Sequence, residues 1–348
     1  MLPLGNVSSS LIDAGRGFPY RAFSELPSTP IKLKGGSLEV AFAPGSTILP
    51  RADILGWAER SARSVVSYYG RLPTPTAKVL FVPVPGREIN GTTYGYGGAA
   101  SRVVLGSDAT AADLEADWVL IHELVHHGFP FIVGPRDWMH EGVATYVEPI
   151  ARAQSGLIPV DEVWRQLVVG LPQGQPRRGD RGLDGTPTWG RTYWGGAMFF
   201  LLADVELRRR TGNRTGLQQV LQSTVAEGGN ITQQWTIDRF NAVGARATGT
   251  DVLGELYECM KDTPRNVDLI ALWRDLGVKL VGRNVQYDDA AQLAHIRGAI
   301  TARLASPVRE SLSALRPGLV ERSQVNAEPK QYSGNEAPCR SFPWISER

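Results

Sequence analysis

Cysteine is nearly absent from this chain: there are two among 348 residues, Cys259 and Cys339. Neither has a second Cys or a His close by, which excludes a cysteine-built metal knuckle. Two alternatives stay open for the pair, one disulfide stapling the C-terminal part or two unrelated thiols. An excess of charge of one sign is also missing. Thirty-seven Lys and Arg against 35 Asp and Glu leave a net +2, and no basic tract supplies an electrostatic argument for nucleic acid. Long apolar runs are lacking as well. The longest, residues 197–203, falls far short of the roughly 18 residues a membrane span needs, so no transmembrane segment is expected. Residues 1–10 have neither a basic start nor a long apolar core and do not read as a signal peptide. A trimmed-looking start and the potential disulfide give an expectation of export, periplasmic or secreted, with the cytoplasm left open.

What is there is ordinary globular material, 42% hydrophobic and 21% charged, enough chain for more than one subdomain. Its most informative stretch is His122-Glu123-Leu124-Val125-His126. A helix turns every 3.6 residues, so two histidines four apart stand one above the other. That geometry lets two imidazoles hold one zinc ion, with Glu123 rotated off their line as a general base toward water. Thr110 to Leu114 opens like a capping box. Leu114, Trp118, Ile121 and Val125 then fall on one stripe, which predicts a single buried-face helix over 113–127. A catalytic zinc wants a third protein ligand, and the candidates are Glu141, Glu148, Asp137, His127 and His140. His127 follows His126 directly and points about 100° away, so it cannot share that metal. Glu141 is preferred because it begins a second helical pattern whose Val143, Tyr146 and Val147 face inward.

In order along the chain, residues 1–30 are read as a leader or extended arm and 31–108 as a β-rich subdomain. Residues 31–42 suggest a strand pair about Gly35-Gly36, 50–69 a helix, 79–84 a buried strand and 102–105 a short strand. Residues 109–262 form the expected helical catalytic subdomain. They include a segment at 171–192 with several glycines and prolines and a cluster of Arg177, Arg178 and Arg181. Such a segment is either functional, a lid for example, or simply solvated. Residues 263–320 carry helices and a hairpin about 282–284, and 321–348 read as a polar tail.

The pattern from His122 through Trp138-Met139-His140-Glu141-Gly142 to Tyr146 and Glu148 resembles the gluzincins, the thermolysin-like zinc metallopeptidases whose third ligand is glutamate. Within them it is similar to the glycyl-aminopeptidase family that often carries a PDZ domain, and more distantly to the alanyl and leukotriene-type aminopeptidases. Tyr193-Trp194-Gly195-Gly196-Ala197, then Asp204 and Arg208 to Gly212, add to the likeness, which covers about residues 91–225. The resemblance implies an α+β fold, with a thermolysin-like catalytic domain made of a small mixed sheet and a mainly helical part, the zinc helix between them. It implies one Zn2+ per chain on His122, His126 and Glu141, with Glu123 as base, Tyr193 as the hydroxyl facing the oxyanion, and a peptide or protein as substrate. It also implies a substrate edge strand over 94–102, with Gly97, Gly98 and Ala99 against the substrate backbone. In the aminopeptidases a glutamate in that strand holds the free α-amine. Here the aligned residue is Ala100, which turns the expectation toward an endopeptidase. An aminopeptidase with a displaced anchor and a non-catalytic peptide-binding protein on the same scaffold are the alternatives. Oligomeric state is not legible.

Overall fold

The computed structural model describes residues 25–303, Cys339 and residues 341–346. The expected leader up to residue 24 and most of the expected tail lie outside the described residues.

Five strands make one mixed sheet: β1 (Ser28–Leu33), β2 (Gly36–Phe42), β3 (Thr76–Val84), β4 (Ile89–Tyr94) and β5 (Ala99–Gly106). Their order is β1-β2-β3-β5-β4. The β1–β2 hairpin turns about Gly35-Gly36 as expected, though β1 starts at Ser28, inside the stretch read as an arm. β2, β3 and β5 run parallel, and β4 returns antiparallel to β5 as the outer edge. Val79, Leu80 and Phe81 on β3 are all buried, as in a strand covered on both faces. Helix α1 (Arg51–Tyr69) links β2 to β3 and supplies Ile54, Trp57, Ala58 and Val65 to the core. The Trp57 ring lies 5.3 Å from that of Phe81.

The helix expected over 113–127 is two pieces, α2 (Ala111–Ala116) and α3 (Val119–His126). The capping box is present, with Asp113 Oδ2 accepting the Thr110 N–H at 2.7 Å. The break has a local cause: Asp117 Oδ2 accepts the Leu120 N–H at 3.1 Å and so starts a new helix. Trp118 at this break is 50% exposed, whereas Leu114, Ile121 and Val125 are buried as the stripe predicts.

Helix α3 is buried along its length and packs between β4 and α4 (Asp137–Ser155), with α1 also against it. Then follow α5 (Val160–Gly170), α6 (Gly196–Arg210), α7 (Leu217–Ala226), α8 (Ile237–Thr248), α9 (Val252–Met260), α10 (Leu269–Leu276) and α11 (Ala294–Thr301). Strands β6 (Phe131–Ile132) and β7 (Gln234–Trp235) pair in parallel, while β8 (Val278–Val281) and β9 (Asn284–Tyr287) form the expected hairpin.

The glycine-rich segment 171–192 is not a free lid. Asp180 and Arg191 form a buried ion pair at 2.9 Å. Asp184 accepts the Trp138 Nε1–H at 2.8 Å and the Tyr257 hydroxyl at 2.7 Å, which ties the segment to α4 and α9. The C-terminal stretch read as a polar tail also needs correction at its end. Cys339 is disulfide-bonded to Cys259 on α9, and Phe342, Trp344 and Ile345 are buried. Trp344 Nε1 donates to Asp275 Oδ2 at 3.0 Å. Three apolar side chains among polar neighbours are enough to dock a chain end already tethered by a disulfide. Among the described residues no helix is long and apolar enough to cross a membrane.

Candidate metal centre and active-site cleft

A cleft of about 610 Å3 runs between β4 and the helices α3 and α4, and His122, Glu123, His126, Glu141 and Tyr193 all line it. The ligand atoms of His122, His126 and Glu141 lie within 4.8 Å of one another. Glu141 Oε2 is 3.2 Å from His122 Nε2 and 3.7 Å from His126 Nε2. Donors about 2.0–2.1 Å from a tetrahedral zinc stand about 3.3–3.4 Å apart, so this donor set fits the ion in spacing and in kind. Burial pushes the Glu141 carboxyl up, but its bonds to the two histidines outweigh this and hold it well below the usual carboxylate range.

The other candidate ligands lie elsewhere. Glu148 is buried in an ion pair with Arg152 at 3.0 Å. Asp137 lines the outer cleft and is exposed. His140 Nε2 takes the Ile132 N–H at 3.4 Å, and burial lowers its pKa to about 3, so the ring is neutral. His127, read from sequence as unable to reach the metal, is fully inside the protein and bonded to Ser101 at 2.9 Å.

Two close approaches set the geometry. Glu123 packs directly on Gly91 of β4, where an added Cβ would come within 2.3 Å of its Cγ. Only glycine leaves that space, and a glycine inside a strand marks such an approach. Helices α4 and α6 cross at Gly142 and Gly196, where a Cβ on Gly142 would lie 2.4 Å from the Gly196 Cα. Gly142 adjoins Glu141, and Tyr193 sits in a wide π-type turn at 191–195 leading into Gly196. The crossing therefore carries both side chains to one place. The Tyr193 ring stacks on His122 with centroids 6.3 Å apart. Burial first, then the charge of Glu141 and a hydrogen bond to it, then the charge of Glu123, push the hydroxyl up to about 12, so it stays protonated and acts as a donor.

Glu123 is held by a hydrogen-bond chain that sequence reasoning missed. Thr93 Oγ1 lies 2.6 Å from Glu123 Oε2 and 3.0 Å from the Glu123 carbonyl oxygen. Thr93 Oγ1 is 2.9 Å from Ser101 Oγ, which is 2.9 Å from His127 Nε2. A carboxylate only accepts, so Thr93 donates its single proton to Glu123 and accepts from Ser101. Ser101 has then used its own proton and accepts from His127 Nε2–H. Burial lowers the His127 pKa to about 3, which keeps the ring neutral, and its Nδ1 has no partner among the described residues. Every donor in the chain points toward Glu123.

The structure does not bring Gly97, Gly98 and Ala99 to this cleft. Gly97 and Gly98 belong to the turn between β4 and β5, with Gly98 at φ 110°, and Ala99 begins the interior strand. Ala100 is fully buried opposite Tyr94 and Lys78. It does not face the cleft, so nothing about amine anchoring follows from it. The strand along the cleft is β4 itself, with Ile89 to Thr93 lining it.

No protein-family model matches this sequence, and no curated protein matches it. Among solved structures, the aminopeptidase N family protein from Idiomarina loihiensis matches over 73% of this chain and 49% of its own, with TM-score 0.58 at 14% identity. An M1 zinc metallopeptidase from Deinococcus radiodurans gives TM-score 0.45 at 18% identity, over 67% of this chain and 51% of its own. The chain thus spans about half the length of these proteins. It has an α+β fold shared with part of an aminopeptidase N family structure.

Proposed function

We propose that the protein is a zinc-dependent peptidase that cleaves peptide or protein substrates, with one ion held by His122, His126 and Glu141. The observation that carries this reading is the convergence of those three donors with Glu123 and Tyr193 on one cleft beneath an edge strand. When bound, zinc supplies Lewis acidity and lowers the pKa of water toward neutrality. Glu123 takes the proton of the attacking water and passes it to the leaving amine. Thr93 and Gly91 fix the carboxylate for that task. The Tyr193 hydroxyl donates to the oxygen on which negative charge develops, a contribution worth most in a water-poor site. β4, as the outer strand, presents backbone groups to which an extended peptide adds as a further strand.

Backbone pairing along an edge strand of six residues holds an extended peptide without calling on a free α-amine. That favours an endopeptidase. The second reading, an aminopeptidase, is favoured by Asp137, a carboxylate on the cleft wall outside the metal centre. One quenched peptide pool, free and acetylated at the N-terminus, separates them. Chelator-sensitive cleavage of both forms supports the endopeptidase, and cleavage of the free form alone supports the aminopeptidase with Asp137 as anchor. Cleavage that ignores the chelator refutes both. The Cys259–Cys339 disulfide fits an oxidising compartment and supports export.

A further inference from the structure

A second cavity of about 540 Å3 adjoins the metal cleft, and the two share Trp118, His122 and Tyr193 in their walls. Its remaining wall comes from α4, α5 and the 171–195 segment, with Thr145, Val169, Trp189 and Trp194 among the side chains. The charged groups on this wall are already matched: Arg152 pairs with Glu148 at 3.0 Å and Glu162 with Arg165 at 2.6 Å. What is left to meet an occupant is chiefly indole and aliphatic surface.

Three of these side chains are costly to leave in water. Trp118 is 50% exposed, Trp189 61% and Val169 51%. Large apolar groups gathered at a cavity mouth mark a ligand surface. The rings also form a continuous wall from the metal ligand outward. Trp118 meets His122 edge-on at 5.4 Å, His122 stacks on Tyr193 at 6.3 Å, and Tyr193 stacks on Trp189 at 5.9 Å.

We infer that this cavity is the side-chain pocket that selects substrates for the metal cleft. It takes one large apolar residue, aromatic for preference, next to the bond to be cleaved. The inference rests on the peptidase reading above. A phenyl or phenol ring brings the large apolar area that the tryptophans bury.

The test is binding without turnover. Zinc-loaded Glu123→Gln protein is titrated with a capped tetra-alanine peptide and with versions carrying Phe, Tyr, Asp or Lys at either central position. The tryptophans in the wall report binding by fluorescence. Phe or Tyr at one of the two positions is expected to tighten binding about tenfold or more over Ala, with no gain from Asp or Lys. Val169→Asp, on an exposed helix position, should erase that preference. Ile270→Asp, at an apolar position 84% exposed and outside both cavities, should leave it intact. Equal affinity for the Phe, Tyr and Ala peptides, no binding of any of them, or a preference that survives Val169→Asp overturns the inference. An intact preference in a wild-type protein that cleaves nothing overturns the peptidase reading alone.

Discussion

Thr93→Val is the substitution that most sharply probes how Glu123, the base in the proposed reaction, is held. Valine keeps the shape and the β-branch but removes a hydroxyl 2.6 Å from Glu123 Oε2. A hydrogen bond to an ionised group contributes about 1.5–3 kcal/mol. The Ser101 hydroxyl loses its acceptor at the same time. Glu123 keeps its packing on Gly91, so the side chain stays in the cleft but is less well fixed at the water. The expected result is a fall in kcat of about tenfold to a hundredfold, since each 1.36 kcal/mol is a factor of ten. KM should change little, because the side chain of Thr93 points to Ser101 and Glu123 while substrate pairs with the strand's backbone. Thr93→Ser restores the hydroxyl and should recover most of the rate. In the wild-type protein, whose chain of donors is intact, nitrogen NMR of His127 should show the Nε2–H tautomer. Steady-state kinetics on a peptide pool give the split. An unchanged kcat in Thr93→Val would refute the reasoning, as would a Nδ1–H tautomer at His127.

Other outcomes follow from the same geometry. Tyr193→Phe should lower kcat about a hundredfold or more while zinc content stays at one per chain, because it removes an oxyanion donor and no metal ligand. Burial raises the Glu148 pKa from 4.5 to about 7 against the pull of Arg152. The folded carboxyl therefore keeps a proton that the unfolded one releases, so its contribution is complete below 4.5 and is lost as pH rises through about 7. Burial raises Asp117 to about 6, which adds a change of the same sign. His127 and His140, held neutral by burial, act in the opposite direction below 6.5, so the effect is read as a difference. Relative to Glu148→Gln, wild type should lose stability as pH rises from 4.5 through about 7, and parallel pH–stability curves for the two proteins would contradict this. Reducing the Cys259–Cys339 bond should cost about 2–4 kcal/mol of stability and release the segment bearing Phe342 and Trp344. Denaturant midpoints with and without reductant measure it.

The clustering of His122, His126 and Glu141 was legible because helix geometry encodes it locally. His122 and His126 are one turn apart, and Glu141 opens the next apolar helical pattern. The place of Tyr193 in the same cleft was expected from the resemblance, not from periodicity. β4 was missed for a physical reason: a strand whose edge and one face border a polar cleft has no need of alternating apolar residues, and Ile-Asn-Gly-Thr-Thr-Tyr shows none. With β4 unread, the glycines of the following turn were assigned its role. Gly91 did carry a signal, a glycine in a short run that also holds Ile89, Thr92 and Thr93, and a glycine inside a strand marks a close backbone approach. The contacts of Thr93 with Glu123 and of Ser101 with His127 join residues 30 and 26 positions apart, and no local pattern announces them. Trp118 broke the expected stripe because Asp117 ends one helix and starts another. Indole surface at the break was free to face the two cavities.

The most direct test of the central claim compares wild type with Glu123→Gln for zinc content and for chelator-sensitive peptide cleavage. The account predicts one zinc per chain in both proteins, with cleavage in wild type alone. Full cleavage by Glu123→Gln, or wild-type protein that binds no zinc, would contradict it.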